Sequence, residues 1–135
     1  MKDRKEFFIK ENESIIKEFI EIMREEMERQ KSVNWIYIFM PDHLHLIFEG
    51  KSIESDLWKL ITAFKQRTGW LLREKIGNKY KWQKSFYDHI HRKDEDIIRQ
   101  IKYIAENPMR KNMVADWREY RYIGSLNYDL KEIIW

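Results

Sequence analysis

Residues 33 to 48 constrain the fold most: two short runs of strand-forming residues are separated by Pro41-Asp42 alone. Val33 to Met40 is rich in aromatic and β-branched side chains, and His43 to Phe48 alternates polar with apolar residues, so both runs read as strands. Pro41 interrupts pairing and Asp42 favours a turn. A tight antiparallel hairpin follows. Side chains alternate across a strand, which puts His43, His45, Ile47 and Glu49 on one face and Leu44, Leu46 and Phe48 on the other. The apolar row can enter a core while the histidines stay available, and two neutral imidazoles one residue apart suit a divalent metal.

Helical patterns flank the hairpin. After Asn12, a plausible N-cap, Ile16, Phe19, Ile20, Met23 and Met27 recur at helical spacing, which predicts a helix from about Glu13 to Gln30. Beyond Gly50, Ser52 can cap a second helix whose buried stripe is Leu57, Leu60, Ile61, Phe64 and Leu71 or Leu72. Ile76-Gly77-Asn78 is a stop signal, and Trp82 to His91 reads as a third strand. A third helix begins at a cap on Asp94 and ends at Asn107-Pro108, because proline lacks a donor and restricts the residue before it. Trp117, Tyr120, Tyr122, Ile133, Ile134 and Trp135 point to a tail packed back on the body.

At about 100° per residue, Ile97, Ile98, Ile101, Ile104 and Ala105 of the third helix share one core face. Tyr103 falls almost opposite, beside Asp96, Arg99, Glu106 and Asn107. Asn107 lies one turn further on the same stripe. A phenol held outside the core beside an amide is a candidate nucleophile, although most exposed tyrosines have no chemical role.

The chain of 135 residues, 43% hydrophobic and 36% charged, fits one soluble domain with a single core. It has no cysteine, so a thiolate site and a disulfide framework are excluded and any metal takes nitrogen and oxygen ligands. No apolar stretch approaches the ~20 residues of a membrane span and the first residues carry no signal-peptide pattern, so the expected location is cytoplasmic. Charge is uneven: residues 1–60 carry 10 Lys/Arg and 13 Asp/Glu, whereas residues 61–135 carry 16 and 10. In the basic part, Lys65, Arg67, Arg73, Lys79, Lys81, Lys84 and Arg92 are interleaved with Trp70, Tyr80, Trp82, Phe86 and Tyr87. Cations that neutralise phosphates and rings that stack on unpaired bases suit single-stranded nucleic acid. An ordinary solvated face with core aromatics would read the same way.

Four segments in order carry a family resemblance: Met40-Pro41-Asp42-His43-Leu44-His45-Leu46, Trp82-Gln83-Lys84-Ser85-Phe86-Tyr87-Asp88-His89, Tyr103 to Arg110, and Tyr120-Arg121-Tyr122-Ile123-Gly124-Ser125. His43-Leu44-His45 resembles the His-hydrophobic-His motif of HUH endonucleases, and Tyr103 to Pro108 resembles the tyrosine segment of their single-tyrosine transposases, in particular the REP-associated tyrosine transposases. The resemblance implies an α+β domain with a ferredoxin-like antiparallel sheet and helices packed on it. It also implies metal ligation by His43 and His45 with Asn107 near a Mg or Mn ion, and Tyr103 as nucleophile. The substrate implied is single-stranded DNA beside imperfect hairpins, cleaved through a 5′-phosphotyrosine intermediate. Members of the family usually begin with another strand before the first helix. Here Phe7-Phe8 already resembles the turn after that strand, so the expectation is a single domain, residues 1–135, with that strand missing. Its sheet edge would be open, inviting a homodimer. A DNA-hairpin-binding descendant without catalysis is the alternative, and a water-using hydrolase with His89 or His91 in a zinc site is a third reading.

Overall fold

In the computed structural model, residue 6 and residues 8–76 and 96–134 are described. The fold is α+β, with a small antiparallel sheet covered by helices on both faces. The expected strand from Trp82 to His91, the Asp94 cap and Trp135 lie outside the described residues.

Helix α1 spans Glu13–Arg29, β1 Ser32–Met40, β2 His43–Gly50 and α2 Leu57–Ile76. Helix α3 covers Ile97–Ala105, α4 Asn107–Arg110, β3 Ile123–Gly124 and α5 Leu130–Ile133. The sheet order is β2-β1-β3, antiparallel throughout. Met40 pairs with His43, Ile38 with His45 and Phe39 with Leu44, so Pro41 and Asp42 alone form the loop of the hairpin. The backbone N–H of Phe8 donates to Pro41 O at 2.8 Å and supports the turn from below.

Alternation along the hairpin creates two cores. Phe39, Leu44, Leu46 and Phe48 face α1 and α2, meeting Phe19, Met23, Leu60 and Phe64. On the other face Ile36, Ile38, Met40 and Ile47 meet Ile101, Ile104 and Ala105 of α3, together with Trp117, Tyr120, Leu130 and Ile134 of the tail. The histidines belong to this second face. Ile98, expected in the core, is exposed. It stands roughly 60° from Ile101 around the helix, at the border of the stripe.

Two caps differ from expectation. Asn12 occupies the N-cap position of α1 but its side chain makes no capping bond, because a 3-10 turn over Lys10–Asn12 leads into the helix. The cap of α2 is Asp56, whose Oδ1 accepts from Lys59 N at 3.0 Å; Ser52 instead accepts from Glu54 N within the preceding turn. Pro108 does end α3, yet it also opens α4, where a missing N–H costs nothing.

Strand β1 is paired on both sides, by β2 and by β3. Ile123 and Gly124 pair with Ile38 and Tyr37, and Phe39 N donates to Tyr122 O at 2.9 Å. Further along β1, a bulge separates Asn34 from Ile36, and the fully buried Asn34 fills it. Its Nδ2 donates to Ile36 O and Ile47 O, its Oδ1 accepts from Leu126 N, and its backbone O accepts from Ser125 Oγ. The C-terminal segment is thereby fixed along β1 where an edge would otherwise invite another chain. No described helix is long and apolar enough to cross a membrane.

Candidate nuclease site

His43 and His45 are brought together as the strand periodicity requires. Their Nε2 atoms are 3.1 Å apart, with the rings nearly perpendicular. On the other side of the ring, His43 Nδ1 is 2.7 Å from Asp42 Oδ1. A carboxylate at Nδ1 holds that nitrogen protonated and leaves Nε2 as the lone-pair donor, the arrangement that orients ligating imidazoles. Asp42 belongs to the motif but was not expected to have a role. The signal was its position immediately before a ligand on a two-residue turn.

The pair passes a simple test of fit to a metal. Two imidazole nitrogens about 2.1 Å from a shared ion, bound at about a right angle, stand roughly 3.0 Å apart. The observed spacing matches this chord. Among the described residues no third His, Cys, Asp or Glu joins the pair as a ligand, and a shell completed by amide, water or phosphate oxygens would suit Mg or Mn.

Helix α3 places Tyr103 on the side away from its buried stripe, with 63% of its surface exposed. The helix lies on the sheet face that carries the histidines, since Ile101, Ile104 and Ala105 pack against Ile36, Ile38 and Met40. Among the described residues no hydrogen bond joins Tyr103 to either histidine. The contacts of Tyr103 come from Arg110, whose guanidinium lies 3.9 Å from the ring centroid and whose Nη2 donates to Tyr103 O at 2.7 Å. Asn107 lies between them in sequence. Its Nδ2 donates to Ile104 O at 3.0 Å, replacing the donor that Pro108 lacks, and this use of the amide nitrogen leaves the Oδ1 lone pairs to accept from, or bind, another partner.

The basic residues fall into three groups. Lys65 and Arg73 are on α2, the helix that also exposes Trp58 and Trp70, with Arg73 one turn beyond Trp70. Arg67 is committed elsewhere: its Nη2 meets Glu25 at 2.6 Å and its Nη1 meets Glu26 at 2.8 Å, and these hydrogen bonds, Glu25 first, raise its pKa above the ordinary value. Glu26 is buried and also binds Arg29, so this cluster ties α1 to α2. Lys79, Lys81, Lys84 and Arg92 lie outside the described residues, as do His89 and His91.

Residues 1–107 match the IS200-like transposases. The chain belongs to that family. A Haemophilus influenzae protein named "Putative REP-associated tyrosine transposase" is 29% identical over 106 residues, covering 71% of this chain and 60% of that relative. The chain therefore spans less than two thirds of the relative's length. No solved structure matches it. The segment bearing both histidines and Tyr103 falls within the matched region.

Proposed function

We propose that this IS200-like chain is a metal-dependent single-strand DNA endonuclease and transposase that cuts next to DNA hairpins by tyrosine attack. The observation that carries the reading is the convergence of His43 and His45 Nε2 at 3.1 Å on the sheet face covered by the helix that bears Tyr103.

In this reading His43, His45 and the Asn107 carbonyl oxygen hold the ion, and Asp42 keeps His43 turned toward it. A bound Mg or Mn ion supplies positive charge against the scissile phosphate oxygens as their charge grows. Tyr103 is the catalytic residue. Its phenol oxygen bonds to phosphorus as the bond from phosphorus to the 3′ oxygen breaks; the phenol proton passes to solvent and the departing 3′ oxygen takes one up. The DNA is left with a 5′-phosphotyrosine link and a free 3′-hydroxyl. Because the phosphodiester is exchanged rather than hydrolysed, rejoining to another 3′ end needs no nucleotide cofactor.

Lys65 and Arg73, with Trp70 between them, contact the single strand, and Lys79, Lys81, Lys84 and Arg92 extend that surface. Arg67 is left out of this set because Glu25 and Glu26 take its guanidinium. The test is a hairpin oligonucleotide with a single-stranded flank, incubated with Mn, with Mg or with a chelator. Metal-dependent cleavage that is lost in both His43→Ala and His45→Ala supports the proposal. Hairpin binding with no cleavage under any metal would replace it with a binding-only role.

A further inference from the structure

We infer that Arg110 is a positioning residue for the Tyr103 phenol, holding the ring in one orientation on the surface of α3. This rests on the reading of Tyr103 as the attacking group and gives a role to Arg110, the last residue of the Tyr103 to Arg110 segment, that the chemistry of phosphate attack does not itself call for.

Three observations meet at this point. The first is that Tyr103 is 63% exposed, so packing against the body does not fix its ring. An exposed tyrosine on a helix hops between rotamers on the nanosecond scale, which is a poor starting point for an in-line attack. The second is that the Arg110 guanidinium lies 3.9 Å from the ring centroid while its Nη2 donates to the carbonyl of Tyr103 itself at 2.7 Å. One planar group thus holds both ends of the same residue, the backbone by a charged hydrogen bond and the ring by a cation over its face. The third is that the helix break supplies the means. With α3 ending at Ala105 and α4 opening at Asn107, the last carbonyls of α3 need donors. Asn107 Nδ2 takes Ile104 O and Arg110 takes Tyr103 O, so Arg110 is anchored before it reaches the ring.

Lysine cannot reproduce this contact fully. Its single ammonium can cover the ring or bind the carbonyl, whereas the arginine fork does both. The guanidinium meets the ring on its face rather than at its hydroxyl. Arg110 acts through Tyr103, and among the described residues it makes no hydrogen bond to the side chains of His43, His45 or Asn107.

The experiment compares Arg110→Lys and Arg110→Met in the full chain, with two readouts. The first is covalent adduct formation on the hairpin oligonucleotide with Mn, as rate at saturating DNA and as DNA affinity. Misplacing a reacting group costs about tenfold to a hundredfold in rate. The expected result is a saturating rate reduced by that order in Arg110→Met, partly recovered in Arg110→Lys, with affinity unchanged. The second readout is the 19F signal of 3-fluorotyrosine placed at position 103, without DNA. It should move and narrow in Arg110→Met, toward the signal of a freely turning ring. An unaltered 19F signal would overturn the inference, as would loss of DNA affinity with an unchanged saturating rate, which would make Arg110 a phosphate contact. A merely structural cap would lower thermal stability and leave the saturating rate of folded protein intact, which also counts against it. If Tyr103→Phe still forms an adduct, the nucleophile reading fails, while the 19F comparison still judges whether Arg110 holds the ring.

Discussion

Replacing Asn34 with alanine should undo the attachment of the C-terminal segment to the sheet. Three hydrogen bonds of its side chain disappear, to Ile36 O, Ile47 O and Leu126 N, and all three backbone groups lose that partner in a region where Asn34 itself is fully buried. At about 1 kcal/mol for each bond, the expected loss is about 3 kcal/mol, with more if the carbonyls cannot reach water. For a domain of this size that lowers Tm by about 10 °C. Ser125→Ala removes a single bond, to Asn34 O, and should cost about 1 kcal/mol. Urea denaturation of the two variants and the parent gives the ranking directly. The unpaired edge of β1 should also promote self-association, visible as a concentration-dependent mass in sedimentation. If Asn34→Ala loses less than about 1 kcal/mol, or no more than Ser125→Ala, then the bulge is not what secures the tail and the reasoning is wrong.

Two further outcomes follow from the charge and hydroxyl contacts. Arg67→Met should lower stability by about 1 to 3 kcal/mol, since buried Glu26 keeps Arg29 alone, while leaving the salt dependence of DNA binding unchanged; a flatter salt slope would return Arg67 to the DNA-contacting surface. Burial, with a smaller contribution from Tyr122, pushes the Tyr120 phenol well above its ordinary value of 10.0, and its hydroxyl donates to Phe39 O at 2.6 Å. The folded state therefore favours the protonated phenol, so this stabilisation is complete below pH 10 and is lost as pH rises through the raised folded value. Tyr120→Phe should cost about 1 kcal/mol at neutral pH and should lessen the fall in stability on the alkaline side, read from denaturation at a series of pH values.

The hairpin and its two faces were legible because a period of two leaves no choice about which side chains share a face, and the same logic placed the histidines together. Helix α1 and the body of α2 followed from apolar spacing. Strand β3 was not legible: two residues, Ile123 and Gly124, carry no periodicity. What marks them is a glycine whose added Cβ would come within 2.6 Å of Tyr37 Oη, a close approach that shows only in three dimensions. The pairing of β3 with β1 was hidden for the same reason, since those residues come from the far end of the chain. Asp56 rather than Ser52 caps α2 because both are good caps and the turn between them decides which one meets the helix. The contact of Arg110 with Tyr103 is hidden in the sequence because Pro108 breaks the helical spacing between them. Asp42 is a turn residue by type; its second role as the partner of His43 depends on the ring turning back toward the loop.

Covalent joining of Tyr103 to DNA is measured most directly by peptide mapping by mass spectrometry of the chain after incubation with Mn and a hairpin oligonucleotide. One modified peptide is expected, with the nucleotide 5′-phosphate on Tyr103, absent from Tyr103→Phe and from samples treated with chelator. An adduct on any other residue, or cleavage that leaves no adduct in the wild-type chain, would contradict Tyr103 as the nucleophile.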